Sequence, residues 1–208
     1  ASNSNNVLTD FINTGVYNKN REFYQTISPS MDILISSNLE RLLYFMSENN
    51  SEYINEIFNQ LNINGKYKIN NEIFEKIKND FYGGYCTDED TVHQIKKKFN
   101  ETGYLMDSHT AVADCVYEKY KDQTKDNTKT VIVSTASPYK FSASVLKAID
   151  NNFNINDDEF TMTDKINLIS GLEIPTQLKQ LKEKEIIFKD IITKDEMENS
   201  VYNILRLK

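Results

Sequence analysis

Between residues 28 and 41 the chain reads Ser-Pro-Ser-Met-Asp-Ile-Leu-Ile-Ser-Ser-Asn-Leu-Glu-Arg. Hydroxyls, a carboxylate, an amide and a guanidinium are gathered in one loop that runs into a helix. Ser37 and Glu40 have the spacing of a capping box, which predicts the helix N-terminus at Ser37. A helix start offers free N–H groups and the positive end of the dipole, and Arg41, one turn in, adds a fork of donors. Together they favour a phosphate or carboxylate. The plainer reading is an ordinary capped helix, with Arg41 at the surface beside Glu40 or Glu48.

Composition narrows the partners. The 208 residues hold 39% apolar residues, enough for one domain with a core. Acidic residues outnumber basic ones and the net charge is −7, which argues against nucleic acid or an anionic membrane as the main partner. No apolar run approaches the ~18 residues of a membrane span. Lys96, Lys97 and Lys98 read as a solvated helix face. Cys86 and Cys115 are isolated and lack metal-ligand spacing, so two reduced thiols in a cytoplasmic protein are expected.

The elements that must position the loop are mostly helices. Val7, Leu8, Phe11 and Ile12 share one helical face, capped by Ser4 or Asn5 and stopped by Gly15, and an exposed turn region then runs to Thr26. Leu39, Leu42, Leu43 and Met46 mark a helix from about Asn38. Further apolar stripes follow Ser51 and surround Ile73 to Ile77. Thr87 and Asp90 have capping-box spacing before a helix that Gly103 stops. Asp107-Ser-His-Thr opens the next. Thr130-Val-Ile-Val-Ser134, a β-branched run bounded by turn signals, reads as a buried parallel strand. Pro138 starts the helix after it, and ligands of open α/β sheets bind at the carboxyl end of such a strand. The tail is helical around Ile166 and after Pro175, extended over Ile186 to Ile192, and helical again after the Thr193 and Glu196 capping pair.

Four ordered blocks resemble the threonine synthase family: Ala1 to Phe11; Ser28 to Leu43; Tyr104 to Ala113, with Asp107, His109 and Thr110; and Val133 to Phe141. Ser108 stands where that family usually has proline. The resemblance implies fold type II of the pyridoxal-phosphate (PLP) enzymes, an α/β fold of the tryptophan synthase β kind, here its helix-dominated C-terminal part with few parallel strands. It implies residues 1–150 as part of the large cofactor domain, with a helical insertion about 48–103, and 151–208 as a helical tail packing on it. The implied reaction turns O-phospho-L-homoserine and water into L-threonine and phosphate.

The resemblance also assigns residues. Thr135 faces the pyridine nitrogen, or else is a polar residue ending a strand. Asn3 and Asn5 line the cofactor pocket, or cap a helix. Ser30, Asp32, Asn38 and Arg41 lie on the substrate side. Lys140 contacts phosphate, or is a solvated lysine. His109 lines the site, or is a satisfied core histidine. The family's Schiff-base lysine and glycine-rich phosphate loop lie upstream of the Ala1 block. The chain is therefore expected to be a C-terminal fragment, inactive alone, whose missing partner is the N-terminal half. Apolar residues near Ala1 and Val131 should then lie open or be covered by another copy. Two alternatives stand beside this reading: a non-catalytic helical regulatory or docking module, and another type II lyase such as a dehydratase. The Ser28 to Arg41 block argues against the second, since a dehydratase has no phosphate to hold.

Overall fold

The computed structural model describes residues 1–187 and 189–207. They fall into two compact units, Ala1–Glu173 and Ile174–Lys208. In the first, α1 (Val7–Thr14), β1 (Val16–Asn18), α2 (Ser37–Met46), α3 (Ser51–Asn64), β2 (Lys66–Lys68) and α4 (Asn71–Asp80) wrap one core. Phe11, Tyr17, Leu43, Ile57, Leu61 and Ile77 are at its centre. Then α5 (Asp88–Thr102), α6 (Ser108–Thr124), α7 (Ser142–Ile149) and α8 (Glu159–Ser170) pack with α5 against both α6 and α7, and α7 against α8. Ile95, Val145, Leu146 and Ile166 are fully buried there.

β1 and β2 pair antiparallel, Tyr17 opposite Tyr67. Their rings stack with centroids 5.4 Å apart, a cross-strand aromatic pair that pins the register. Both strands follow a helix stopped by glycine in the left-handed conformation: Gly15 (φ 72°) ends α1 and Gly65 (φ 71°) ends α3. At Gly15 a Cβ would stand 3.0 Å from the Phe74 ring, so only glycine turns the chain here without strain.

Local signals hold up well. Thr87 and Asp90 form the expected capping box at the start of α5. Asp107 caps α6, accepting from the backbone N–H of His109 and Thr110. In the second unit, Thr193 and Glu196 form a capping box ahead of α10 (Met197–Leu205), which follows the short α9 (Thr176–Leu181).

Several expectations are corrected. The cap of α2 is Ser36, one residue before Ser37; its side chain accepts from Leu39 N–H. Asn6, not Ser4 or Asn5, precedes α1, because Asn5 is drawn into a side-chain network described below. β1 lies within the stretch read as a turn region. Thr130–Ser134 is not a strand. A strand is defined by its neighbours, and among the described residues none runs beside this one; Val131 and Val133 are 86% and 71% exposed. The two-stranded sheet is antiparallel, and parallel pairing is confined, among the described residues, to the single bridge Ser2–Tyr85. No strand is found among the described residues of the stretch Ile186–Ile192; Phe188 lies outside them.

The lysine run is less solvated than expected. Lys97 pairs with Glu118 at 2.6 Å and Lys98 with buried Asp114 at 3.2 Å, so both join α5 to α6. The cysteines are not isolated: Cys86 and Cys115 form a disulfide, which corrects the expectation of two reduced thiols. No helix among the described residues is long and apolar enough to cross a membrane.

Candidate functional site

The site is built where the Ser28 loop meets the first residues of the chain and the start of α6. Asn3 is buried, and its amide hydrogens lie within bonding distance of four acceptors: Thr26 Oγ1 at 2.7 Å, Asp32 Oδ1 at 2.7 Å, Ser28 Oγ at 3.0 Å and Ser28 O at 3.3 Å. Its carbonyl oxygen accepts from Asn5 N–H at 2.9 Å. Asn5 in turn bonds both backbone groups of Tyr24 and donates to Asp32 Oδ1 at 3.0 Å.

Asp32 closes this network. Oδ1 accepts from Asn3, Asn5 and the Thr26 hydroxyl (2.7 Å), and Oδ2 accepts from Thr26 N–H at 2.9 Å. An ionised carboxylate has about four acceptor positions, and four donors of the chain converge on Asp32, three on Oδ1 and one on Oδ2. The effect is to fold residues 24–32 into a fixed loop whose outer face carries Ser30. Thr26 and Ser28, central to this network, were missed from sequence. Their signal is faint: hydroxyls two residues apart before a Pro-Ser turn.

A second set of bonds ties that loop to α6. Ser30 N–H donates to His109 Nε2 at 3.0 Å, and His109 Nδ1 lies 3.4 Å from Asp107 Oδ1. The neutral ring with its proton on Nδ1 satisfies both contacts. Burial holds the His109 pKa below its ordinary value; neighbouring Asp107 opposes this and Lys140 adds to it. The ring packs on Phe141, centroids 4.5 Å apart, and the Lys140 ammonium sits 5.3 Å over the same Phe141 ring. Thr110 Oγ1 bonds Asp107 Oδ2 and lies 3.1 Å from Ser134 Oγ, which fastens the segment before Thr135 to the start of α6.

The structure therefore gathers Asn3, Asn5, Ser30, Asp32, His109 and Lys140. Thr135 is exposed, one residue beyond the Thr110–Ser134 contact, and its hydroxyl has no partner among the described residues. Asn38 and Arg41 stand apart from this bonded network. The Arg41 guanidinium bonds the Asn38 side-chain oxygen at the exposed start of α2, and Arg41 borders a cavity of about 420 Å³ with Glu40, Tyr44 and Phe45. Neither Arg41 nor Lys140 is in an ion pair among the described residues, so both cations remain available to an anion. Around Val131 a larger cavity, about 660 Å³, is lined by Ala1, Phe81, Tyr82, Val116, Tyr120 and Val133 among others. The openness expected near Ala1 and Val131 is thus observed.

The helix-dominated architecture is that of the C-terminal part of fold type II PLP enzymes. The chain superposes over its whole length on threonine synthase from yeast, with a TM-score of 0.82 and 29% identity, covering 42% of that chain. It also superposes on PLP-bound threonine synthase from Brucella melitensis, with a TM-score of 0.71 and 26% identity over 90% of this chain and 36% of that one. Residues 110–200 match the family model described as "Threonine synthase, C-terminal". In sequence the chain is 40% identical over 150 residues to human threonine synthase-like 1, which spans 72% of this chain and 20% of that protein. It is 31% identical over 203 residues to threonine synthase of Saccharomyces cerevisiae, 90% of this chain and 39% of that one. The chain is a relative of the C-terminal portion of the threonine synthases, and spans from a fifth to about two fifths of the length of these proteins.

Proposed function

We propose that the chain forms the substrate-side wall of a cytoplasmic threonine synthase that converts O-phospho-L-homoserine and water to L-threonine and phosphate. The observation that carries this reading is the Ser30–His109 hydrogen bond. It joins two of the four family-like blocks, 79 residues apart, into one surface, with the Lys140 ammonium close by over the Phe141 ring that packs on His109.

PLP is the cofactor of this proposal, and the residues fit one edge of it. A free hydroxyl at Thr135 suits the pyridine nitrogen, to which it can hydrogen-bond without fixing a full negative charge beside it. The phosphate of the cofactor needs a cradle of closely approaching backbone. The six glycines, at positions 15, 65, 83, 84, 103 and 171, include no glycine-rich loop of that kind. That cradle and the cofactor-bearing lysine are assigned to the N-terminal half of the protein, the partner of this wall. When bound, the cofactor supplies the electron sink for proton removal from the amino acid.

The chain's own residues would bind and orient. Lys140 and Arg41 take the phosphate and carboxylate of the substrate, Arg41 held in place by Asn38. Ser30 presents its hydroxyl from the fixed loop. Asn3, Asn5 and Asp32 hold that loop, and His109 holds Ser30 against α6. We assign residues 1–150 to the large cofactor domain, with about 48–103 as its helical insertion, and 151–208 to a C-terminal helical tail.

The chain by itself is expected to give no Schiff-base absorbance on titration with PLP and no phosphate release from phosphohomoserine. Either signal would refute the division of labour. In the completed enzyme, Arg41→Ala and Lys140→Ala should each raise KM for phosphohomoserine by about tenfold or more, the loss of one charge-assisted contact. Unchanged kinetics in both would remove the anion role.

A further inference from the structure

Cys86 is fully buried and Cys115 nearly so, and their disulfide links the segment after Gly83-Gly84 to the middle of α6. Three separate parts of the candidate site meet at this bond. The Cys86 segment carries the start of the chain: Cys86 N–H donates to Ser2 O at 3.0 Å and Ser2 N–H to Gly84 O at 2.9 Å, immediately before Asn3. Cys115 lies on the helix that Asp107 caps and whose first turn holds His109 and Thr110. The sulfurs sit in an apolar cluster with Val112 and Val116, and Met31 of the Ser28–Asp32 loop packs against it. Gly84 brings the segment hard against α6; a Cβ there would fall 2.7 Å from Val116.

We propose that the Cys86–Cys115 disulfide is a redox-controlled clamp on the Ser28–Asp32 loop, closed when oxidised and released by a dithiol reductant. Opening proceeds by two exchanges. A thiolate of the dithiol attacks Cys115 Sγ, breaking the Cys86–Cys115 bond and releasing Cys86 as thiolate. The second thiolate of the reductant then attacks the mixed disulfide and releases Cys115. The two electrons come from the reductant, which leaves as a disulfide, and the released thiolates take protons from solvent. Two separate thiols repel to van der Waals distance, and a close-packed cluster has no spare volume for that. The displaced neighbours are Val112, Val116 and Met31, so the change reaches the loop through Met31 and α6 through the valines.

The test needs neither cofactor nor activity, so it stands apart from the assignment of the reaction. Free thiols are counted in denaturant after exposure to oxidised or reduced dithiothreitol, and amide hydrogen exchange is followed by mass spectrometry in both states. The expected result is no free thiol in the oxidised protein and two in the reduced one, with exchange in residues 26–34 about fivefold faster or more on reduction and residues 142–170 unchanged. Cys115→Ser should exchange in residues 26–34 like the reduced protein and ignore reductant. Two free thiols persisting after oxidation would overturn the proposal, as would equal exchange in residues 26–34 in the two states, or a uniform rise along the chain.

Discussion

Ser30 donates its backbone N–H to Nε2 of His109 at 3.0 Å. A backbone donor on the loop thus reads the protonation state of a ring on α6, because an imidazolium has no lone pair left to accept with.

Acidification should act through this bond. The His109 pKa is lowered by burial, so the unfolded chain binds its proton first as pH falls. Between the ordinary value near 6.5 and the lower folded value the unfolded state holds more protons, and stability drops as pH falls through that window. Urea midpoints measured from pH 7.5 to 5.5 should decline, and more steeply in the native chain than in His109→Gln, whose amide oxygen can still accept from Ser30. Equal slopes would show that His109 is uncoupled from folding.

Asn3→Ala should cost about 2–3 kcal/mol in urea unfolding, since it removes a buried amide and leaves Ser28 and Asp32 short of a donor. The same variant should expose residues 24–32 to proteolysis. A loss under about 0.5 kcal/mol would mean that the network is not the support of this loop.

Tyr67 offers a change in the other direction. Its hydroxyl is buried with no hydrogen-bond partner among the described residues, and burial pushes the phenol far above its ordinary range. Tyr67→Phe keeps the stacking on Tyr17 and removes the unsatisfied group, so thermal unfolding should show a gain of about 1 kcal/mol. A comparable loss would imply a partner for that hydroxyl.

Val131 tests the open wall. At 86% exposure, Val131→Asp should change the stability of the chain by less than about 0.5 kcal/mol. If this edge receives the N-terminal half, the same substitution should abolish association of the two pieces in analytical ultracentrifugation. Undiminished association would move the interface elsewhere.

Legibility in the sequence followed the range of the interaction. Caps and stops are local, so Thr87 with Asp90, Thr193 with Glu196, and Gly103 were readable from spacing, while the Ser37 and Glu40 pair put the cap of α2 one residue too late. β1 was not, because Val16-Tyr17-Asn18 is three residues long and acquires its strand character from Lys66–Lys68, far along the chain. Thr130–Ser134 has strand composition without strand neighbours among the described residues, and composition alone misled. The family-like blocks pointed to the residues that the structure brings together, yet which donor meets which acceptor is tertiary: Thr26 and Ser28 carry no motif of their own, and Cys86 finds Cys115 across 29 residues.

This wall and a lysine-bearing half are proposed to make one enzyme. The direct measurement is L-threonine formation from O-phospho-L-homoserine with PLP, using this chain, a separately produced N-terminal half of a threonine synthase, and their mixture. Threonine from the mixture and from neither piece alone is the predicted result. Threonine from this chain alone, or none from a mixture in which the two halves demonstrably associate, would contradict it.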